Sequence, residues 1–362
     1  MNRQILAHLE QIERSIKEFL PIEANSEWKK ISFGNENIES KHIFPLIETT
    51  RSLVDLGGKR WRPLLLVLCA RACAMDKEKA QEQAYLLAPL VEFVHTASLI
   101  HDDIEDSSKM RRGKPAAYIT YGTDTAINAG SWLYFEAPVC IEKLNCPMEL
   151  KNRLYSNYLM ELRRLHLGQA MDIAWHRDNT KVPSVQEYLE MVKNKTGTLA
   201  SLAAKTGALA SGADEKTARK AGIIASEIGA GFQIIDDVIN LTTGNPGKKR
   251  GDDIVEGKKS FPVLAFFEQN KNCPQKTQEL RLCFIQAAKE GIESPAVEKA
   301  IELMEQDSSI ETAKKKGTEL ILNGGNSFIE LFGNSNEDAS LIKEFFVSMI
   351  PNELMEAHSN NA

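Results

Sequence analysis

Two aspartate-rich segments contain the residues of this chain whose types and spacing could do chemistry. The first is His101–Asp106, with the sequence HDDIED, and the second is Phe232–Asn240, with the sequence FQIIDDVIN. Asp102 and Asp106 are one helical turn apart, so on a helix they lie on the same face. Two like charges at that spacing repel each other unless a cation compensates them. Because hard divalent cations prefer oxygen ligands, the spacing predicts a magnesium site whose candidate ligands are Asp102, Asp103 and Asp106.

The second segment repeats this spacing with one change. Asp236 and Asn240 have the same relation as Asp102 and Asp106, and Asn240 is either an uncharged oxygen ligand or a polar neighbour. A solvated acidic face would also explain single aspartates. Both segments are too apolar for that explanation, since the residues around the aspartates are Leu99, Ile100, Ile104, Ile234, Ile235, Val238 and Ile239.

Basic residues accompany both acidic segments. GGKRWRP occupies Gly57–Pro63, Arg111 and Arg112 follow the first segment, and KKR with GKKS follows the second. Magnesium held by few carboxylates usually completes its coordination with water and phosphate oxygens, and arginine pairs well with phosphate. Each basic cluster alone is typical of a solvated turn. Together, beside two acidic segments, they predict a phosphate-bearing substrate.

Two other metal chemistries fit parts of the sequence. Glu92 and His95 form an E-x-x-H pair, as in di-iron carboxylate bundles, but His166 and His176 lack the glutamate that a second copy needs. A metal phosphohydrolase could use His101 and Asp102. That interpretation requires further histidine ligands, which the sequence does not group around this pair.

Composition limits the other function classes. The 362 residues carry a formal net charge of −6, with 43% hydrophobic and 26% charged residues, which gives no overall support for nucleic-acid binding. The six cysteines form no C-x-x-C pair, and no secretory leader is evident, so a reducing cytoplasmic setting is expected. The apolar run at 63–70 is too short to span a bilayer, and no membrane span is expected.

The hydrophobic pattern predicts an all-α protein. An amphipathic helix is expected over 1–20, an irregular segment over 21–45, and a disordered tail over 356–362. Several further helices are expected between 275 and 350. The remaining predicted helices are 46–56, 61–75, 79–105, 122–143, 149–173, 185–212, 215–243 and 259–269. The chemical motifs extend over residues 57–262, which predicts one domain over 1–362.

These motifs resemble the trans-isoprenyl diphosphate synthase family, the polyprenyl synthetases, over residues 46–350. The second aspartate-rich motif of the family usually ends in aspartate, where this chain has Asn240, a variation familiar in geranylgeranyl diphosphate synthases. The matching segments are Gly57–Pro63, Asp102–Asp106, Met110–Pro115, Gly168–Asp172, Lys195–Gly197, Phe232–Asp237, Gly251–Ile254 and Gly257–Pro262.

The resemblance implies a large single-domain helical bundle around a central cavity, usually a homodimer. It implies a prenyltransferase that condenses an allylic diphosphate (dimethylallyl, geranyl or farnesyl) with isopentenyl diphosphate. Asp102 and Asp106 would hold two Mg²⁺ ions and Asp236 a third, and Mn²⁺ could substitute. The residues that would bind the allylic diphosphate are Arg111, Lys195, Lys258 and either Lys248 or Lys249. The residues that would bind isopentenyl diphosphate are Lys59, Arg62, His95 and Arg112.

Two further site residues follow from the same resemblance, and two others bear on product length. Thr196 and Gln233 would direct their dipoles at the developing cation, beside Lys195. Ala97 and Ser98 are small where aromatic residues stop chain growth early in the family, which implies a product of C20 or longer. A non-catalytic partner subunit and a class I terpene cyclase remain alternatives. The first typically loses an acidic or basic motif, and the second would not need Lys59 and Arg62.

Overall fold

The computed structural model describes residues 3–178, 181–244 and 249–351. The chain forms two compact units. The first comprises the residues up to Glu161 with Leu199–Ile223 and Leu331–Ala339, and the second comprises Leu162–Thr198, Ile224–Glu330 and the chain from Ser340. The prediction of a single domain stays a prediction.

Helices make up nearly all of the regular structure, which confirms the all-α prediction. The helices of the first unit are α1 Arg3–Phe19, α2 Ser26–Phe33, α3 Ser40–Val54, α4 Trp61–Cys73, α5 Lys77–Leu86, α6 Ala88–Glu105, α7 Ala117–Tyr121, α8 Thr123–Glu136 and α9 Val139–Glu142. Those of the second unit are α11 Val185–Lys195, α14 Asp252–Glu256, α15 Phe261–Gln269, α16 Pro274–Glu290 and α17 Pro295–Gln306. Those with residues in both are α10 Met148–Arg177, α12 Gly197–Ala210, α13 Glu215–Leu241, α18 Ser309–Phe332 and α19 Glu337–Ser348.

Helix α6 carries the first aspartate motif and lies in the core of the first unit. Its residues Leu90, Val91, Phe93 and Val94 are buried, as are residues 63–70 of α4. The sequence predicts one helix over 79–105, but α5 and α6 are separate, with a break at Leu87. Pro89 explains the break, because proline fits the first turn of a helix and lacks the N–H that a helix interior requires.

A short hairpin follows α6. Its strands are β1 Met110–Arg111 and β2 Lys114–Pro115, paired antiparallel. Arg112 and Gly113 at its tip have φ values of 51° and 76°, as a two-residue turn with both central residues left-handed requires. The turn therefore fixes the backbone from which the side chains of Arg111 and Arg112 project.

The segment 21–45 is not irregular as predicted, since it contains α2 and the beginning of α3. Pro45 lies inside α3 instead of ending it. The loss of one backbone hydrogen bond at proline is offset by burial of Ile43 and Ile47 from the same helix. The predicted helix over 122–143 is likewise divided, because α8 ends before Pro138 and α9 begins after it.

Apolar residues of α11, α13, α15, α16 and α17 form the core of the second unit. Tyr188, Ile234, Phe261 and Phe266 are among its buried members. Helices α11 and α12 occupy the predicted helix 185–212, which is interrupted at Thr196. Within the described residues, one stretch, Lys77–Glu105, is long and apolar enough to cross a membrane, but 67% of its 18-residue apolar window is buried in the fold. It is therefore weak evidence for a span.

Helix α2 is held against α8 by an aromatic cluster and a partly buried hydrogen bond. The rings of Trp28 and Phe33 each contact Trp132 of α8, with centroids 6.3 and 6.2 Å apart. The Ser32 hydroxyl donates to Glu136 Oε1 over 2.7 Å. Burial raises the pKa of Glu136 to about 7, because a desolvated carboxylate is disfavoured relative to its neutral form.

This pKa predicts that Glu136 makes the protein less stable as the pH rises. A carboxyl whose pKa is raised on folding favours the folded state below its unfolded value, and that contribution is lost as the pH passes through about 7. Glu136→Gln should therefore gain about 2–3 kcal/mol of unfolding free energy relative to wild type between pH 5 and pH 8. Urea unfolding at both pH values measures this gain. Glu149→Gln, at an exposed position of α10, is the control, and an equal pH effect in both variants would contradict the prediction.

Candidate functional site

Asp102 and Asp106 lie at the carboxyl end of α6, where the first half of the predicted site is built. Both side chains are partly exposed, and the Asp106 N–H donates to the Asp102 carbonyl, which keeps the two one turn apart. The chain then leaves the helix through Ser107, whose φ is 55°. The Ser108 N–H donates to the carbonyl of Asp103 over 2.9 Å. Asp102 and Asp106 therefore lie on the same face at the end of α6, as the spacing predicts.

Asp103 has a different environment from its neighbour Asp102. Its side chain is 2% exposed and accepts hydrogen bonds from Nε of Arg111, at 2.8 Å, and from Nη2. The Arg111 guanidinium also lies 3.5 Å from Asp102 Oδ2. These contacts do not fit the prediction of Asp103 as a metal ligand. The Asp103 carboxylate instead fixes Arg111, and with it the hairpin, beside Asp102.

Arg60 separates the basic residues of Gly57–Pro63 into two groups. It has a φ of 46° and lies buried, with ion pairs of 2.6 Å to Glu13 and 2.5 Å to Glu92. Lys59 before it is exposed, and Arg62 after it is partly exposed. Arg60 is therefore structural, while its neighbours keep the positions that the sequence predicts for phosphate binding. The ion pair of Glu92 with Arg60 also argues against a di-iron role for the E-x-x-H pair.

His95 lies among arginines. Its Nε2 is 3.4 Å from Nη1 of Arg62, and desolvation together with Arg62, Arg112 and other arginines holds its pKa well below its usual range. The imidazole is therefore neutral at pH 7. The guanidinium of Arg112 donates to the Gly57 carbonyl, and a Cβ on Gly58 would lie 3.2 Å from Arg112 Nη2. Arg62, His95 and Arg112 thus form one basic cluster in the first unit, with Lys59 on its loop.

The two predicted chain-length residues differ in burial. Ala97 is fully buried in α6, and its carbonyl is 2.9 Å from Nδ1 of His101. Ser98 is partly exposed and donates to the His95 carbonyl over 2.8 Å. His101 also stacks on Tyr134, with ring centroids 5.6 Å apart. His101 is partly exposed, but its ring is engaged by Ala97, Ser131 and Tyr134, which does not favour the phosphohydrolase alternative.

Lys195 and Thr196 belong to the second unit, at the break between α11 and α12. Lys195 Nζ lies 2.6 Å from Asp172 Oδ2 of α10. The Thr196 hydroxyl donates to Oε1 of Gln233 over 3.0 Å. Sequence reasoning placed Asp172 only within a motif and did not name it as a site residue. It is the carboxylate that holds Lys195.

Three glycines allow helix backbones to meet at this break. A Cβ on Gly168 would come within 2.3 Å of the Lys195 backbone nitrogen, and one on Gly197 within 2.6 Å of the Ser226 carbonyl oxygen. A Cβ on Gly229 would come within 2.8 Å of the Gly197 Cα. Backbone cannot give way as a flexible side chain can. Helices α10, α12 and α13 therefore approach as closely as they do only because these positions are glycine.

The two aspartates of the second motif point in different directions from α13. Asp236 is exposed, as a ligand must be, whereas Asp237 is 6% exposed. The carboxylate of Asp237 accepts hydrogen bonds from the Tyr188 hydroxyl and from the Phe261 N–H. Burial, followed by the charge of Asp253, raises the pKa of Asp237 to about 7.

Asn240 is buried, with 1% of its surface exposed. Its Oδ1 accepts from the Asp253 N–H over 3.4 Å, and its carbonyl accepts from the Gly251 N–H over 2.9 Å. Of the two interpretations left open by the sequence, the polar neighbour agrees better with these contacts. Asn240 attaches the following loop to α13.

Of the lysines predicted after α13, Lys248 lies outside the described residues. Lys249 is exposed and forms an ion pair with Glu293. Lys258 forms an ion pair of 2.6 Å with Glu256 and lies 3.8 Å from Asp253. Both lysines are thus beside carboxylates of their own unit, and their predicted binding roles stay predictions.

The carboxylates fit magnesium only together with a substrate. Among residues 3–178, 181–244 and 249–351, no three His, Cys, Asp or Glu side chains converge on a point where they could hold a metal by themselves. Asp102 and Asp106 offer two partly exposed carboxylates, and Asp236 offers one. Magnesium in phosphate sites is commonly held by one or two carboxylates plus phosphate oxygens and water, so this donor set fits it.

Comparison with known proteins agrees with the fold and the motifs. A geranylgeranyl pyrophosphate synthase of Penicillium canescens is 34% identical over 264 residues, which cover 72% of this chain and 74% of that protein. One of Neocamarosporium betae is 36% identical over 296 residues, covering 78% and 80%. The crystal structure of geranylgeranyl pyrophosphate synthetase from Pyrococcus horikoshii Ot3 has a TM-score of 0.78 at 28% identity, covering 95% of this chain and 97% of that one.

The family model described as polyprenyl synthetase matches residues 45–304. This range contains both aspartate motifs and the basic residues around them. The chain therefore belongs to the polyprenyl synthetase family, the trans-isoprenyl diphosphate synthases, and is a trans-prenyltransferase similar to geranylgeranyl diphosphate synthases.

Proposed function

We propose that this chain condenses an allylic diphosphate with isopentenyl diphosphate, in the presence of Mg²⁺, to give an all-trans prenyl diphosphate of C20 or longer. The observation that carries the proposal is the retention of two kinds of anion site. One combines partly or fully exposed carboxylates with cations, at Asp102, Asp106 and Arg111, and again at Asp236, Lys195 and Lys258. The other is purely basic, at Lys59, Arg62, His95 and Arg112.

A second basic site distinguishes chain elongation from the alternatives. A cyclase acts on one diphosphate, whereas elongation needs a place for a second. The neutral imidazole of His95 beside Arg62 can take part in hydrogen bonds without adding repulsion among the arginines. Arg62 and Arg112 act together on His95, and the nearby Glu92 is engaged with Arg60, so this cluster suits an anion better than a metal.

Asp102 and Asp106 would hold two Mg²⁺ ions and Asp236 the third, with Mn²⁺ as a possible substitute. Bound Mg²⁺ neutralises diphosphate charge and so makes the diphosphate a better leaving group. Further positive charge comes from Arg111, Lys195 and Lys258. Each of these cations now contacts a carboxylate and has to exchange part of that contact for contact with the diphosphate. Lys248 or Lys249 would assist.

The reaction follows from loss of the diphosphate. The allylic carbon–oxygen bond breaks, the double bond of isopentenyl diphosphate attacks the resulting cation, and a proton leaves for the departing diphosphate. Thr196 and Gln233 direct their oxygen atoms to stabilise the cation. The site has to exclude water during this step, because water would quench the cation.

Product length and assembly complete the proposal. Ala97 is buried five residues before Asp102, about 7.5 Å back along the helix. Ala97 and the partly exposed Ser98 are both small at the place where, as proposed, a larger side chain would limit growth. A homodimer agrees with exposed apolar side chains on α7 and α8, Ile119, Ile127 and Phe135. The cysteines, all within the described residues and all free, support a reducing cytoplasmic setting.

The experiment that tests the function is direct. Purified protein is incubated with Mg²⁺, isopentenyl diphosphate and dimethylallyl, geranyl or farnesyl diphosphate, and the products are read by mass. Elongated prenyl diphosphates are expected. Cyclised hydrocarbon from an allylic diphosphate alone would favour the cyclase, and no turnover unless a second subunit is added would favour the partner subunit.

Asp102→Asn should lower kcat by about 10²–10⁴, which corresponds to about 3–5 kcal/mol of barrier. The reason is loss of a negative ligand from the partly exposed end of α6 while the size of the side chain is retained. Initial rates at saturating Mg²⁺ measure the effect. Asp124→Asn, at an exposed position of α8, is the control. Turnover of Asp102→Asn within a few-fold of wild type would refute the metal-ligand role.

Ala97→Phe should shorten the product, because the added ring would occupy the space into which the growing chain extends. Ala97→Ser is the matched control, since it changes the same buried position with little added volume, and its product should match that of wild type. Chromatography of the hydrolysed products measures chain length. An unchanged product from a folded, active Ala97→Phe enzyme would show that other residues limit the chain.

A further inference from the structure

Asp237 is the point at which three segments of the second unit meet. The Tyr188 hydroxyl donates to its Oδ2 over 2.6 Å, and the Phe261 N–H donates to the same oxygen over 2.9 Å. Gln233 Nε2 donates to the other oxygen, Oδ1, over 3.2 Å. Because the carboxylate is 6% exposed, these protein donors replace the water that would otherwise solvate it.

The three donors belong to the segments that carry the predicted ligands of the allylic diphosphate. Tyr188 is on α11, which ends at Lys195. Phe261 begins α15, three residues after Lys258. Gln233 and Asp237 are on α13 with Asp236. A single buried carboxylate thus connects the elements on which those ligands are placed.

The Tyr188 hydroxyl is not required for packing. Its ring is 2% exposed within the apolar core of the second unit and meets the Phe261 ring edge-on, with centroids 5.7 Å apart. A phenylalanine ring would make the same contact. What the hydroxyl adds is a hydrogen bond of 2.6 Å to Oδ2 of Asp237, and a buried oxygen that loses such a donor is destabilised.

Without that hydroxyl, Asp237 would be poorly held. Asp253 lies near enough for its charge to act on the Asp237 carboxyl. A carboxylate with one fewer donor and a like charge nearby can relax by turning away from Phe261 or Gln233. Either movement would shift the loop of Lys258 or the side of α13 that presents Asp236.

We propose that Tyr188 is a positioning residue for the prenyl transfer. Its hydroxyl holds Asp237, and through Asp237 it sets α11, α13 and the start of α15 so that Lys195, Asp236 and Lys258 can act together on the allylic diphosphate. Tyr188 itself touches neither substrate. This inference rests on the proposed function, since it concerns the allylic half of the same reaction.

Tyr188→Phe tests the proposal with steady-state kinetics for both substrates. We expect kcat to fall by roughly 10- to 100-fold, as is common when a group supporting a metal or phosphate ligand is removed. The KM for isopentenyl diphosphate should stay within about twofold of wild type, because its predicted ligands are elsewhere. Calorimetry should show weaker binding of a thiodiphosphate analogue of the allylic substrate, which cannot ionise readily. This measurement does not depend on turnover.

Tyr85→Phe is the matched control. The Tyr85 hydroxyl also makes a hydrogen bond of 2.6 Å, to Nδ1 of His8, in a part of the first unit that carries no predicted site residue. It should lose comparable thermal stability and keep wild-type kcat and analogue binding. Equal kinetic losses in both variants would mean that Tyr188 acts through general stability, which overturns the proposal.

Asp237→Asn provides a second, independent variant. If Tyr188 acts through Asp237, Asp237→Asn should show the same separation of kcat from the KM for isopentenyl diphosphate, and the double variant should be no worse than the poorer single variant. Strictly multiplicative losses would overturn the proposal. An inactive wild type would instead overturn the proposed function. Active wild type with an unaltered Tyr188→Phe enzyme would overturn this inference alone.

Discussion

Compensation of charge is the constraint on which the rest of this structure depends. Each cation predicted to bind the allylic diphosphate, among those described, already lies beside a carboxylate. Arg111 is bound to Asp103, Lys195 to Asp172 and Lys258 to Glu256. Such pairs keep concentrated positive charge from destabilising a site without ligand. They also set a limit on how strongly each cation can hold a diphosphate, because the carboxylate competes for it.

The two aspartate motifs share one arrangement of their charged side chains. In each adjacent pair, one aspartate is partly or fully exposed and the next is buried. Adjacent residues on a helix differ by about 100° around its axis, so one side chain can face outward while its neighbour enters the core. Asp103 accepts hydrogen bonds from the Arg111 guanidinium. Asp237 accepts hydrogen bonds from the Tyr188 hydroxyl and the Phe261 N–H. The buried member fixes the segment after its helix, and the exposed member remains available as a ligand.

The motifs were predictable from sequence because their chemistry is local. One-turn spacing on a helix places Asp102 with Asp106 whatever the rest of the chain does. The contacts of Asp172, Tyr188 and Arg60 were not predictable in this way. Their partners are 23, 49 and 32 residues distant along the chain, and only the packing of different helices brings them together. The error over 21–45 has a similar origin, because Pro45 breaks a helix by local rules while burial of Ile43 and Ile47 maintains it.

Compensation of charge also explains why asparagine is suited to position 240. The side chain is buried, accepts from the Asp253 N–H and lies one turn from Asp236 and near Asp237. An aspartate there would add a further negative charge to a region in which burial, followed by the charge of Asp253, already raises the pKa of Asp237. Without a metal ion to offset it, that charge would be disfavoured by burial and by repulsion together. Asparagine keeps the acceptor that holds the loop and removes the charge, so Asp236 can act as the ligand of this motif while Asn240 maintains the loop.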